Sequence, residues 1–279
     1  MERPRGEAFG DADFGRRVVT GTVLATVGLG AILWGGLAWL LLLAAAAVGM
    51  AFEYARLSER SARLQLLLFR SLAAALLPVL GVAAVLGTAA GFGALAPACA
   101  ALALAGRLAG GRPVAWAGGA LYLGLPLLVL WWLRTAHPAG AFLTLWIVAV
   151  VVATDTGGYF VGRVAGGPKL APRISPGKTW SGLFGGMVLA AVTGGVLTAL
   201  ARGRVDGAAV LWGLLAAGLA LVEQAGDLFE SWLKRRAGYK DSGHLLPGHG
   251  GVLDRLDGLL FAAPAFGLVV WLGGQGDGP

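Results

Sequence analysis

The stretch LAWLLLLAAAAVGMAF, residues 37–52, contains no charged side chain, and eight comparable segments recur along the 279-residue chain. A helix that crosses a bilayer needs about 20 mainly apolar residues, because the hydrocarbon offers no partner to an unpaired backbone group. The segments fall near 17–34, 37–52, 72–90, 93–106, 114–133, 141–162, 180–201, 208–226 and 252–272, the fourth being the shortest. With 57% hydrophobic and 13% charged residues the chain lies far outside the range of soluble domains. The expected fold class is therefore an all-α polytopic membrane protein of about nine transmembrane helices. The 47 glycines, many of them inside the apolar segments, suit helices whose backbones approach closely.

The distribution of charge orients these spans. If the N-terminus is cytoplasmic, 19 of the 22 Lys and Arg residues lie on the inner side, and only Arg134, Arg202 and Arg204 lie on the other. That asymmetry is what the positive-inside rule predicts. The net charge of +7 then reads as topological and membrane-surface charge. Membrane lipids are the expected surroundings, and no nucleic-acid partner is expected. MERPRGEAFGDADFGRR is polar and mixed in charge, and no small-residue cleavage site follows the first apolar run, so no signal peptide is expected to be removed. Cys99 is the single cysteine, which excludes an intramolecular disulfide. The segment 53–65, EYARLSERSARLQ, reads either as an amphipathic stretch at the membrane surface or as a solvated loop.

Polarity divides the chain into N-terminal transmembrane helices, 1–140, and a C-terminal catalytic region, 141–279, with cytoplasmic loops at 163–179 and 227–253. In the second part acids enter or border the spans: Asp155, Glu223, Asp227, Asp254 and Asp257. An ionised Asp at a helix centre costs about 2.5–3.5 kcal/mol even on insertion scales, so such a cluster needs partners. Asp227 and Asp254 close and open successive spans, and their carboxylates can converge across the intervening loop. Carboxylate oxygens suit Mg²⁺ held jointly with substrate phosphates, which makes Asp227 and Asp254 the expected metal pair and Asp257, one helical turn on, its support. Lys234, Arg235 and Lys240 lie between them, and Lys178 stands in a second basic loop on the same side with the hydroxyls of Ser175 and Thr179. Metal plus Lys/Arg is the environment a polyphosphate needs. PGHGG, 247–251, allows amides to approach phosphate oxygens closely. Each feature alone has a structural explanation: a charge pair at a helix start, a positive-inside anchor, a turn. His249 is as readily a loop-orienting residue as a proton donor, and no histidine spacing suggests zinc.

Taken together, SWLKRRAGYKDSGHLLPGHGGVLDRLD resembles the signature of the phosphatidate cytidylyltransferases, also called CDP-diacylglycerol synthases. The matching positions are Ser231, Lys234-Arg235, Lys240-Asp241, Pro247 to Gly251 and Asp254-Arg255-Leu256-Asp257. Upstream, Gly226-Asp227-Leu228, Ser175-Pro176-Gly177-Lys178-Thr179 and the DTGGYFVG segment from Asp155 are also similar to family elements. The resemblance covers roughly the last half of the chain. It implies transfer of the cytidylyl group of CTP to phosphatidate, giving CDP-diacylglycerol and pyrophosphate in phospholipid biosynthesis, with Mg²⁺ and room for a second cation. It further implies Asp227, Asp254, Asp257 and Lys240 as catalytic residues. Ser175, Lys178, Thr179, Lys234, Arg235, Asp241, His249 and Arg255 would bind substrate. It is compatible with a homodimer in the inner (plasma) membrane whose active site faces the cytoplasm. Two positions depart from the pattern: Ser181, where the family usually has Glu or Gln, and Gly258, where it usually has Ser. The rival readings are a CTP-dependent polyprenol or phytol kinase and an ion transporter using the same acids.

Overall fold

The computed structural model describes residues 11–273; the polar N-terminal residues 1–10 of the expected cytoplasmic tail lie outside them. The described residues form nine helices and one two-stranded hairpin: α1 Asp11–Trp34, α2 Gly36–Ser58, α3 Ala62–Val85, α4 Thr88–Leu108, α5 Pro113–Ala136, α6 Gly140–Ala165, β1 Lys169–Ala171, β2 Ser175–Thr179, α7 Trp180–Arg202, α8 Gly207–Ala237 and α9 Leu253–Leu272. Eight of them, α2 to α9, are long and apolar enough to cross a membrane, while the apolar part of α1 is Val18–Trp34. At 1.5 Å per residue even α9, the shortest of the eight with 20 residues, matches the roughly 30 Å of a bilayer core.

The helix ends follow local chemistry. Gly35 and Gly36 adopt positive φ and turn the chain between α1 and α2, and the Arg134 guanidinium donates to the Ile32 and Leu33 carbonyls at the C-terminus of α1. Ser61 accepts from Leu64 N (3.2 Å) to start α3, Pro113 occupies the first turn of α5, and Thr179 accepts from Gly182 N (3.1 Å) to start α7. Asp206 caps α8 through Ala208 N and Ala209 N. Hydrogen bonding from Arg204, helped by Arg202, holds its carboxyl down at about 2.

The centre of the bundle is α5 and α6, more than half of whose apolar windows are buried. Trp146 of α6 stacks on Phe266 of α9 (4.9 Å between centroids), meets Trp212 of α8 edge-on and donates its indole N–H to Gly194 O (3.0 Å). A buried indole that is both packed and hydrogen-bonded avoids the desolvation cost of its N–H. On α1 and α7 rows of Val and Leu face outward, as lipid-facing helices require.

Two boundaries differ from the expectation. Residues 53–65 are neither a surface helix nor a loop: they form the end of α2, a three-residue turn and the start of α3, with Glu53 fully buried. α3 accordingly starts at Ala62 and ends at Val85, before the expected 90, and α4 is a full span. The segment from 227 is not loop at its start, because α8, 31 residues long in all, continues to Ala237 and stops at Gly238 (φ +79°), leaving 238–252 as the connection. Lys234, Arg235 and Arg236 fill its last turn, where cations are favoured by the helix dipole. Their charge imitates a loop in the sequence.

Candidate active site

Close helix contact brings the site together. On α6 and α7 a Cβ at Gly182 would lie 2.8 Å from Gly158 O, and one at Gly186 would lie 2.8 Å from Thr154 O. Only glycine permits that approach, which sets Asp155 of α6 beside the hairpin and α8. Glu223 and Asp227 stand one turn apart on α8, and ligand oxygens of Asp155, Glu223 and Asp227 all lie within 4.8 Å of one another. They open into a cleft of about 500 Å³ whose walls include Tyr159, Arg163, Lys169, Lys178 and Gln224.

The charges of this cleft are only partly paired. Lys178 of β2 forms an ion pair with Asp227, and Ser231 lies at 3.4 Å from the same carboxylate. Glu223 is 2% exposed and its Oε2 is buried without a hydrogen-bond partner. Arg163, Lys169 and Lys178 line the cleft with the three acids, but among the described residues only Lys178 forms an ion pair with one of them. A hard divalent cation is the partner that such a donor set fits, by oxygen chemistry and by the unpartnered oxygen of Glu223. Gly258 of α9 makes the room, since a Cβ there would lie 2.7 Å from Glu223 Cγ and Oε1.

Asp254 is placed differently from the expectation. It is not among the three converging acids: its oxygens accept from Lys234 Nζ (2.8 Å), Ser242 N (3.1 Å) and Gly251 N (3.0 Å). Lys234 is itself shared with buried Glu230. Glu53 of α2 completes this arrangement by accepting from Ser242 Oγ (3.1 Å), Val252 N (3.1 Å) and Leu253 N (2.7 Å). Two carboxylates therefore fasten the connection 238–252 and the first turn of α9, satisfying amides that would otherwise be orphaned. The PGHGG turn is tight, with Gly248 and Gly250 at positive φ and Leu246 bridged to Gly250. Arg255 Nε holds it by donating to His249 O (2.8 Å). The His249 ring packs toward Gly21 of α1, with Nδ1 buried and unpartnered.

The remaining expected residues divide between the cleft and its surroundings. Asp257 accepts from Gly258 N (2.8 Å), and its carbonyl lies 2.6 Å from where a Cβ on Gly226 would be, so it borders the α8 turn that carries Asp227. Thr179 is buried as the cap of α7, and Ser175 begins β2, paired with Ala171. Arg235 Nε donates to Ile174 O (3.3 Å), tying the end of α8 to the hairpin. Lys240 and Asp241 are exposed on the connection. Sequence reasoning missed Glu53 and Glu230 as site supports. Each is an acid inside a helical run, the signal that singled out Asp155, but each also lies within four residues of an arginine or lysine on its own helix, as a solvated charge would.

The fold and the site together define a class: a polytopic helical membrane protein with an acid-lined, lysine-flanked cleft at one end of its spans. A sequence profile described as the Cytidylyltransferase family matches residues 15–272. The chain is 45% identical over 252 residues to a phosphatidate cytidylyltransferase of Brucella melitensis biotype 1, covering 88% of this chain and 89% of that protein. It is 42% identical over 168 residues to one from Pseudomonas aeruginosa (58% and 61%) and 46% identical over 124 residues to one from Helicobacter pylori (44% and 45%). The chain belongs to the cytidylyltransferase family.

Proposed function

We propose that the protein transfers the cytidylyl group of CTP to phosphatidate, releasing pyrophosphate and leaving CDP-diacylglycerol in the membrane. The observation that carries this reading is the convergence of Asp155, Glu223 and Asp227 with Lys178 in one cleft at the end of the spans. The reaction joins two anionic groups: a phosphate oxygen of the lipid attacks the α-phosphorus of CTP in line with departing pyrophosphate. Positioning and charge neutralisation supply most of the acceleration in such transfers. The lipid phosphate is already ionised at neutral pH and needs no strong base, which agrees with a site built of acids and lysines.

Asp155, Glu223 and Asp227 would hold Mg²⁺, which when bound supplies positive charge to the phosphates. Lys178, Lys169 and Arg163 line the same cleft. Lys178, released from Asp227 when other cations arrive, offers its ammonium to the triphosphate. Lys240 and Arg255, on the connection and on α9, would contribute further positive charge to the phosphates. Asp254, Glu53 and Lys234 position the turn rather than the metal. The end carrying the hairpin also carries most of the Lys and Arg residues, and we assign it to the cytoplasmic face of the plasma membrane.

CTP labelled at the α or γ phosphorus tests the reaction type with purified protein and phosphatidate. The α label is expected in the lipid product and the γ label in pyrophosphate. A γ label on the lipid would make the protein a CTP-dependent kinase, and metal flux without CTP consumption would make it a transporter.

A further inference from the structure

A cavity of about 750 Å³ lies apart from the acidic cleft, where the α2–α3 turn, the start of α5 and the end of α8 meet. Arg56, Arg60, Arg112, Arg235 and Arg236 line it, and Glu59 is the single acid among its lining residues. Glu59 does not balance them. It is 6% exposed, and its Oε1 accepts from Arg112 N (3.0 Å) and Trp116 Nε1 (2.9 Å), so its charge is turned into the protein.

Among the described residues the ion pairs use Lys178, Arg202, Arg204 and Lys234, and none uses an arginine of this cavity. The contacts these guanidinium groups do make orient them without neutralising them. Arg56 lies 5.9 Å from the Phe52 ring centroid and 5.8 Å from that of Tyr239, and Arg236 lies 5.3 Å from that of Trp232. Arg235 donates only to carbonyls. The first turn of α3 also lines the cavity, contributing the positive end of its dipole. Five cations held around one concavity repel one another, and arginine forks match phosphate oxygens two at a time.

We propose that this cavity is a second anion site, binding a phosphate group through the guanidinium heads of Arg56, Arg60, Arg112 and Arg236, separate from the site of cytidylyl transfer. Its position at the ends of α2 and α8, with Trp232 beside it, places it at headgroup depth, where an anionic phospholipid supplies that phosphate. Soluble pyrophosphate carries the same chemistry. Arg235, on the cavity wall, also donates to Ile174 O of the hairpin that bears Lys178.

The test is independent of turnover: the rate at which phenylglyoxal modifies Arg60 and Arg112, read by peptide mass spectrometry, with exposed Arg70 of α3 as the internal reference. The full chain is placed in phosphatidylcholine nanodiscs, then in nanodiscs containing phosphatidylglycerol, and separately in phosphatidylcholine with inorganic pyrophosphate. The expected result is a tenfold or greater slowing at Arg60 and Arg112, but not at Arg70, in at least one arm, and the arm identifies the source. The Arg112→Gln variant, whose side chain has no hydrogen bond or ion pair to lose, should abolish the protection of Arg60. Unchanged rates in both arms, or equal protection of Arg60 in the variant, would overturn the proposal.

Discussion

Lys178 and Asp227, 49 positions apart in sequence, form an ion pair that joins the β-hairpin to the middle of α8 and closes one wall of the acidic cleft. In the proposed mechanism the pair holds the cation that would meet the triphosphate next to an acid that would hold the metal. Replacing Lys178 with Met removes the cation from the triphosphate and leaves Asp227 partnered by solvent or metal alone. Turnover should fall by about 10²–10³-fold, the magnitude typical of losing one preorganised charge at a transfer site. A Lys178→Arg protein should recover part of it, and steady-state rates with saturating phosphatidate measure both.

Divalent cations should be required through the three converging acids. Removing them with a chelator is expected to stop product formation, and Mg²⁺ is expected to restore it. In the Asp155→Asn protein one ligand oxygen loses its charge, so the Mg²⁺ concentration for half-maximal rate should rise at least tenfold. A Mg²⁺ titration of initial rate that is superimposable on the wild type would remove Asp155 from the donor set.

Glu53 predicts a loss of stability rather than of chemistry. Glu53→Ala strips acceptors from Val252 N, Leu253 N and Ser242 Oγ in a buried place. Unsatisfied amides at a helix start should cost about 1–3 kcal/mol. Thermal unfolding in detergent should shift downward, and Glu53→Gln, which keeps one acceptor oxygen, should shift less.

Gly258 is a position where adding a side chain is expected to harm this protein. A Cβ at 258 meets the Glu223 side chain, so Gly258→Ser should push the carboxylate out of the cleft and lower turnover about tenfold or more. Glu223→Asp, with one methylene fewer, should partly restore Gly258→Ser. The double-mutant cycle reads this directly, since contacting residues give non-additive effects.

Much of this arrangement was legible in the sequence, because membrane spans declare themselves by unbroken apolarity and a long signature stands out against it. The hydrophobic runs gave the helices, and Lys/Arg asymmetry grouped the polar ends. What was not legible depended on three-dimensional convergence. Nothing local says that Asp155 of α6 and Glu223 of α8 share a cleft with Asp227, since that follows from glycine-mediated approach of α6 to α7 and of α8 to α9. The hydrogen bonds of Asp254 were not legible either, because the amides of Ser242 and Gly251 carry no side-chain signal. The helical end of α8 was hidden by its own Lys234-Arg235-Arg236, whose charge belongs to a helix C-terminus as readily as to a loop.

The spans also predict how the lipid arrives. The cleft lies at the end of membrane-crossing helices, so acyl chains can remain in hydrocarbon while the headgroup reacts. Glycerol 3-phosphate, which has the headgroup phosphate but no chains, should be a far poorer acceptor than phosphatidate at equal concentration. Equal rates would contradict lateral access.

The most direct measurement of the cleft's role is the initial rate of CDP-diacylglycerol formation by purified Asp227→Asn protein, taken together with its thermal unfolding. Asn gives up the ion pair with Lys178 but keeps an acceptor oxygen and relieves repulsion among the acids, so thermal unfolding should stay close to that of the wild type. Turnover should nevertheless fall by at least about a hundredfold. Near-normal turnover in the stable variant would contradict the assignment of the reaction to this cleft.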